Sequence, residues 1–227
     1  MNYLTIDTSH TCVVGVWNGD VLAVAESGDT RHHAEVLTPM VQQVLAEAGF
    51  SKPDAVVAGT GPAAFTGLRA GLVTARTLAR AWNVPLYGVS SLEVTALGGL
   101  DALRADAEAT GSAGAPEANV VAVLDARRKE VFALRARAVG ENDVEVLAGP
   151  EVLNPAALAE LVKGAKLVAP SEALYPALGE RIVVTCRPDL MGRLAEAHIA
   201  SGADLGTEPQ YMRRPDIHGG GVPQPAS

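Results

Sequence analysis

The sequence predicts an α/β protein of two related lobes, and three observations carry that reading. Three short apolar runs of strand type open the chain and give way to helix and strand in alternation. After a small, polar, Gly/Pro-punctuated segment the same order restarts. The first run of each half also ends on an aspartate, Asp7 in "LTIDTS" and Asp125 in "VLDARR".

The opening strands are "YLTID", "CVVGVW" and "DVLAVAE", the last two joined at Asn18-Gly19, a dipeptide that signals a two-residue hairpin turn. From Ala34 to Ala48, the residues Val36, Leu37, Met40, Val41, Val44 and Leu45 share one helical face; Pro39 sits in the first turns and Gly49 closes the helix. "AVVAG" reads as a buried strand. It leads into the glycine-rich "GTGPAAFTGLRAG" of residues 59–71, a helix from about Gly67 to Trp82, the strand "LYGVS" and a helix beginning near Ser91. The segment from Asp101 to Ala118 reads as a fraying helix followed by a linker. Beyond it "NVVAVLDA", "EVFALRARA" and "DVEVLAG" are strands, a helix follows Asn154-Pro155, "KLVA" is a strand, and "RIVVT" precedes a helix over Leu190 to Ala200. The division is therefore a first lobe over 1–100, a linker over 101–118, a second lobe over 119–208, a C-terminal segment over 209–215 and a disordered Gly/Pro-rich tail over 216–227. Three antiparallel strands extended by parallel strands, with helices on both faces and the whole unit duplicated, describe the ribonuclease-H-like two-lobe fold of the actin, Hsp70 and sugar-kinase superfamily.

Composition narrows the function classes. An apolar content of 48% over 227 residues is ample for packed cores. No run of 18 or more apolar residues occurs, and "MNYLTIDTSH" lacks the basic start and apolar stretch of a signal peptide, so a cytoplasmic protein without a membrane segment is expected. Cys12 and Cys186 stand far apart without metal or redox spacing and read as core residues. A net charge of −8 argues against a free-standing nucleic-acid binder, so RNA is expected to be met only through a partner.

The glycine-rich stretch invites a phosphate-binding reading that its context refuses. Gly59, Gly61 and Ala64 satisfy the dinucleotide pattern, but the strand before them is not the first of a βαβ unit, Pro62 occupies a turn position, and no acid follows to hold a ribose. A Walker loop needs Lys after its last glycine, where this chain has Leu68. The helix that follows carries small residues at Gly67, Ala70, Gly71, Thr74 and Ala75, which permit close approach, either by a second helix or by the chain's own sheet. Arg69, beside them, favours a contact surface.

Asp7 and Asp125 have the placement of paired carboxylates that hold a magnesium nucleotide in a kinase-like cleft. The phosphate hairpins of such ATPases need glycine directly after the aspartate, and Thr8-Ser9 and Ala126-Arg127 stand there instead. The cleft is read as vestigial, comprising Asp7, Thr8, Asp125 and Arg127; an active small-molecule kinase or ATPase using Asp7 and Asp125 is the alternative. His32-His33 with Glu35 lacks the i, i+4 spacing of a helix-borne metal site and reads as a helix start. No serine has the glycine spacing of a nucleophile elbow. Arg127-Arg128-Lys129 forms a single basic cluster between two strands, a solvated turn or a place where RNA or an acidic partner touches.

"LTIDTS", "RHHAEVLTPMVQQVL", "GTGPAAFTGLRAGLVTARTLA", "VSSLE", "LDARRKEVF" and "PQYMR" together resemble the TsaB (YeaZ) family, over nearly the whole chain from Asn2 to about Arg214. The resemblance implies a non-catalytic companion of TsaD in making threonylcarbamoyladenosine in transfer RNA. TsaD, assisted by the ATPase TsaE, transfers the threonylcarbamoyl group to the adenosine beside the anticodon. It implies no cofactor of this chain's own, ATP being used by the partner complex, and homodimers formed through first-lobe helices on the face that docks TsaD. With the small-residue helix, it nominates a partner interface of Val36, Met40, Gly61, Pro62, Phe65, Thr66, Gly67, Leu68, Arg69, Gly71 and Leu72. Ala63 and Ala64 depart from the family's glycine and serine, which puts the geometry of the turn before the helix in question, because alanine disfavours positive φ.

Overall fold

The computed structural model describes residues 1–28, 33–111, 118–175 and 178–213. The expected tail over 216–227, residues 112–117 of the linker and His32 lie outside the described residues. The first half contains β1 (Tyr3–Asp7), β2 (Cys12–Trp17), β3 (Val21–Ser27), α1 (His33–Ala48), β4 (Ala55–Gly59), α2 (Phe65–Trp82), β5 (Leu86–Val89) and α3 (Ser91–Thr110). The second contains β6 (Asn119–Asp125), β7 (Val131–Val139), β8 (Asp143–Leu153), α4 (Pro155–Leu161), β9 (Lys166–Ala169), β10 (Ile182–Val183) and α5 (Pro188–Ser201).

Each half folds its strands into one five-stranded sheet, in the orders β3-β2-β1-β4-β5 and β10-β9-β6-β7-β8. In the first, β1 pairs antiparallel with β2 and parallel with β4; in the second, β6 pairs antiparallel with β7 and parallel with β9. The duplication is thus topological, and the fold is the duplicated ribonuclease-H-like plan. β1, β2 and β4 are buried along their whole length, as continuous apolar runs become when both faces of a sheet are covered.

The two halves share a core. One apolar cluster runs from Tyr3 and Trp17 on the first sheet, through Leu92 and Leu97 of α3 and Leu190 and Leu194 of α5, to Leu124, Phe132 and Val168 on the second. α3 and α5 therefore lie between the sheets, with α1 and α2 on the outer face of the first and α4 on that of the second. The helices also cross over: α3, first-half by order, packs on β6 and β7, while α5 packs on β1 and β2. A Cβ at Gly192 would strike the Trp17 ring, so only glycine lets α5 lie this close. Two arginines then fix the β7–β8 turn to these helices: Arg193 of α5 holds Asp101 at 2.6 Å and the Glu141 carbonyl at 2.6 Å, and Arg104 of α3 holds the Gly140 carbonyl at 2.6 Å.

Three expectations need correction. The β2–β3 hairpin closes over Asn18, Gly19 and Asp20, a three-residue turn with a bulge between Val16 and Trp17, because the bulge takes up the extra residue. α3 continues to Thr110 before Gly111 caps it in the left-handed region, so the helix expected to fray from Asp101 holds through residue 110 and the linker drawn over 101–118 is shorter: Leu103 packs on the shared core and Arg104 is engaged with the β7–β8 turn. "RIVVT" pairs only at Ile182 and Val183.

Candidate functional site

The glycine-rich stretch links β4 to α2, and the backbone of Thr60 and Gly61 is tied within the chain. Gly59 must be glycine because a Cβ there would strike the Asp7 carboxylate. Gly61 takes φ +90°, its N–H donates to Ser91 Oγ at 3.3 Å, and its carbonyl accepts the Ser91 N–H at 2.8 Å. The Thr60 N–H goes to the Val89 carbonyl at 2.8 Å. The turn is therefore a buttress for the start of α3, with those amides already spent. Ala63 and Ala64 are absent from the positive-φ positions, so their Cβ atoms cost nothing; Ala64 caps α2 with φ −61° and ψ 133° and supplies no side-chain cap.

α2 has two faces. Leu68, Gly71, Leu72, Ala75 and Ala79 are buried, and the approach that Gly71 permits is filled by Thr8, whose hydroxyl donates to the Gly67 carbonyl at 2.9 Å. The small-residue face thus packs on the chain's own β1 end. The outer face presents Thr66, Arg69, Arg76 and Val73, the last 56% exposed. The Arg69 guanidinium stands 5.0 Å over the Phe65 ring, and Phe65 lies 5.0 Å from the ring of Tyr211.

Tyr211 belongs to a C-terminal strap. Leu205 accepts the Gly88 N–H at 2.9 Å, Gln210 donates its N–H to the Thr60 carbonyl at 2.9 Å, and Arg76 grips the Thr207 carbonyl at 2.7 Å and Glu208 at 2.9 Å. A groove of about 320 Å³ runs between α2 and this strap, lined by Phe65, Arg69, Val73, Glu208 and Tyr211. A second groove of about 360 Å³, mainly apolar, lies between α1 and α2 over Val41, Leu45, Phe50, Leu78 and Trp82.

Of the nominated interface residues, Thr66 and Arg69 are exposed and Val36, Phe65 and Gly67 partly so. Met40, Gly61, Pro62, Leu68, Gly71 and Leu72 lie in the interior. Sequence reasoning missed Val73, an apolar residue one turn after Arg69 on a polar face, and it missed Glu208 and Tyr211, whose position depends on the strap.

The two strand-end aspartates behave differently. Asp7 is 2% exposed and accepts from Ser91 Oγ at 2.6 Å, Ser9 Oγ at 2.6 Å and the Ser9 N–H at 2.9 Å. Asp125 is partly exposed; it accepts the Arg127 N–H at 2.7 Å and the Tyr175 hydroxyl at 2.9 Å, and pairs with the Arg127 guanidinium at 3.0 Å. Thr8 is buried against α2. Burial holds the His10 imidazole below its ordinary range against the pull of Asp7 and Asp125, and burial, then the Asp7 charge, pushes the Cys186 thiol well up. Among the described residues no cluster of His, Cys, Asp and Glu has the arrangement of a metal site, and no helix is long and apolar enough to cross a membrane.

A family model described as TsaD, tRNA N6-adenosine threonylcarbamoyltransferase, matches residues 25–194. The solved structure of YeaZ from Pseudomonas aeruginosa aligns with TM-score 0.71 and 26% identity, over 92% of this chain and 99% of that one. The chain belongs to this family, on its TsaB (YeaZ) branch. TsaB of Escherichia coli (strain K12) is 36% identical over 135 residues, 58% of this chain and 53% of that protein. An uncharacterized protein of Mycobacterium tuberculosis (strain H37Rv) is 37% identical over 223 residues, 94% of this chain and 92% of its own length. The TsaB likeness accords with the duplicated fold, and in this TsaB-family chain the strand-end aspartates are tied to its own serines, tyrosine and arginine.

Proposed function

We propose that this chain works in tRNA threonylcarbamoyladenosine biosynthesis as a non-catalytic, cytoplasmic scaffold subunit. It docks a TsaD-type subunit through the outer face of α1 and α2, and the same face serves a homodimer. The TsaD-type subunit carries the chemistry, with a TsaE-type ATPase assisting, and tRNA meets this chain within that assembly. The observation that carries the reading is the contrast between the two candidate sites. Asp7 is sealed by Ser9 and Ser91, while α2 leaves Arg69 and Val73 facing outward beside Phe65 and Tyr211. A standard interface buries roughly 1,600 Å² in total, an area two helices per partner supply.

The test is the threonylcarbamoyl transfer rate of the assembled complex. Arg69→Glu is expected to lose co-purification with the TsaD-type subunit and, with it, that rate. The rival reading is an active kinase or ATPase using Asp7 and Asp125, and nucleotide titration of the lone chain decides it. Micromolar ATP binding with turnover that Asp125→Asn removes would establish the rival and end the scaffold reading.

A further inference from the structure

The turn between β6 and β7 presents Arg127, Arg128 and Lys129, all exposed, in the left-handed region at φ 63°, 54° and 62°. Three successive non-glycine residues in that region are unfavourable for L-amino acids, and bonds from outside the turn hold them there. The Arg127 N–H and guanidinium are anchored on Asp125 at 2.7 and 3.0 Å. Tyr175 donates its hydroxyl to Asp125 at 2.9 Å. From the far end of the chain, Arg213 donates to the Ala126 carbonyl at 2.7 Å and pairs with Glu130. Arg127, Arg128 and Lys129 thus share one exposed turn on a chain whose net charge is −8.

We infer that this turn is an RNA-backbone contact, with Arg128 and Lys129 meeting successive phosphates and Arg127 and Tyr175 holding the turn in shape. The inference rests on the proposed role in tRNA modification. Successive side chains in one helical turn leave the backbone about 100° apart, which suits charges strung along a polymer better than one small anion. The surrounding negative charge keeps the contact local, and the chain relies on its partner for the rest of the RNA-binding surface.

The test is binding of an unmodified tRNA transcript by the complex with the TsaD-type subunit, titrated between about 50 and 200 mM salt. Arg128→Ala/Lys129→Ala is expected to weaken binding about tenfold at the lowest salt and to reduce the salt slope by about two. Assembly on gel filtration and the melting temperature stay unchanged. Unaltered affinity and slope overturn the site. Loss of assembly with an unchanged melting temperature also overturns it, because the turn then serves an acidic protein surface. If the wild-type chain does not assemble with that subunit, the scaffold reading fails separately, and the same double variant in the same titration on the lone chain decides the turn.

Discussion

Asp7 and Asp125 close the first strands of two halves with the same topology, yet one is a buried tie and the other a rim residue. At Asp7 the chain has brought Ser91, the first residue of α3, and Gly59, the last of β4, against the carboxylate. At Asp125 the partners are the flanking arginine and a tyrosine from a loop, and the turn beyond carries exposed cations. A repeated fold keeps the strand-end acid in both places. The side chains that reach it decide whether it becomes structure or surface.

Substitutions break or sharpen that contrast in order of size. Asp7→Ala strands the buried Ser91 hydroxyl and the half-buried Ser9 hydroxyl that now donate to a carboxylate, and a loss of about 3 kcal/mol is expected. In a chain of this size that lowers the melting temperature by about 6–12 °C. Gly59→Ala is expected to reproduce most of that loss without touching Asp7, because the new methyl displaces the same carboxylate; a neutral outcome by thermal denaturation would show that the Asp7–Ser91 tie is dispensable. Gly71→Ala pushes on Thr8 and is expected to cost about 2 kcal/mol in denaturant unfolding. Asp125→Ala, by contrast, removes a partly exposed ion pair and two hydrogen bonds whose donors can turn to water, and a smaller loss of about 1 kcal/mol is expected. Smallest of all, Ala64→Ser adds the missing side-chain cap of α2 and is expected to raise stability by about 0.5 kcal/mol.

Local chemistry explains what could be read beforehand. Aspartates ending apolar runs marked β1 and β6, Asn154 caps α4 through the Ala157 N–H at 2.9 Å, and the apolar spacing of α1 gave its buried face. Long-range packing was not legible. Nothing in the order of elements says that α3 and α5 exchange sheets, since Gly192 reveals its purpose only once Trp17 lies on it. For the candidate site, Phe65 and Arg69 were readable from their helix, but Gly71, Leu68 and Met40 looked equally suited to a partner and to the core, because small and apolar residues serve both. Tyr211 reaches Phe65 across more than half the chain, and no local pattern encodes such a contact.

The outer face of α2, and not the strand-end aspartates, is proposed as the working part of this molecule. Calorimetric titration of the TsaD-type subunit into wild-type chain and into Val73→Glu tests this, since Val73 is 56% exposed and its replacement is expected to leave the fold intact. At least a hundredfold loss of affinity, about 2.7 kcal/mol, is expected, with the melting temperature unchanged. Equal affinity for the two proteins would contradict it.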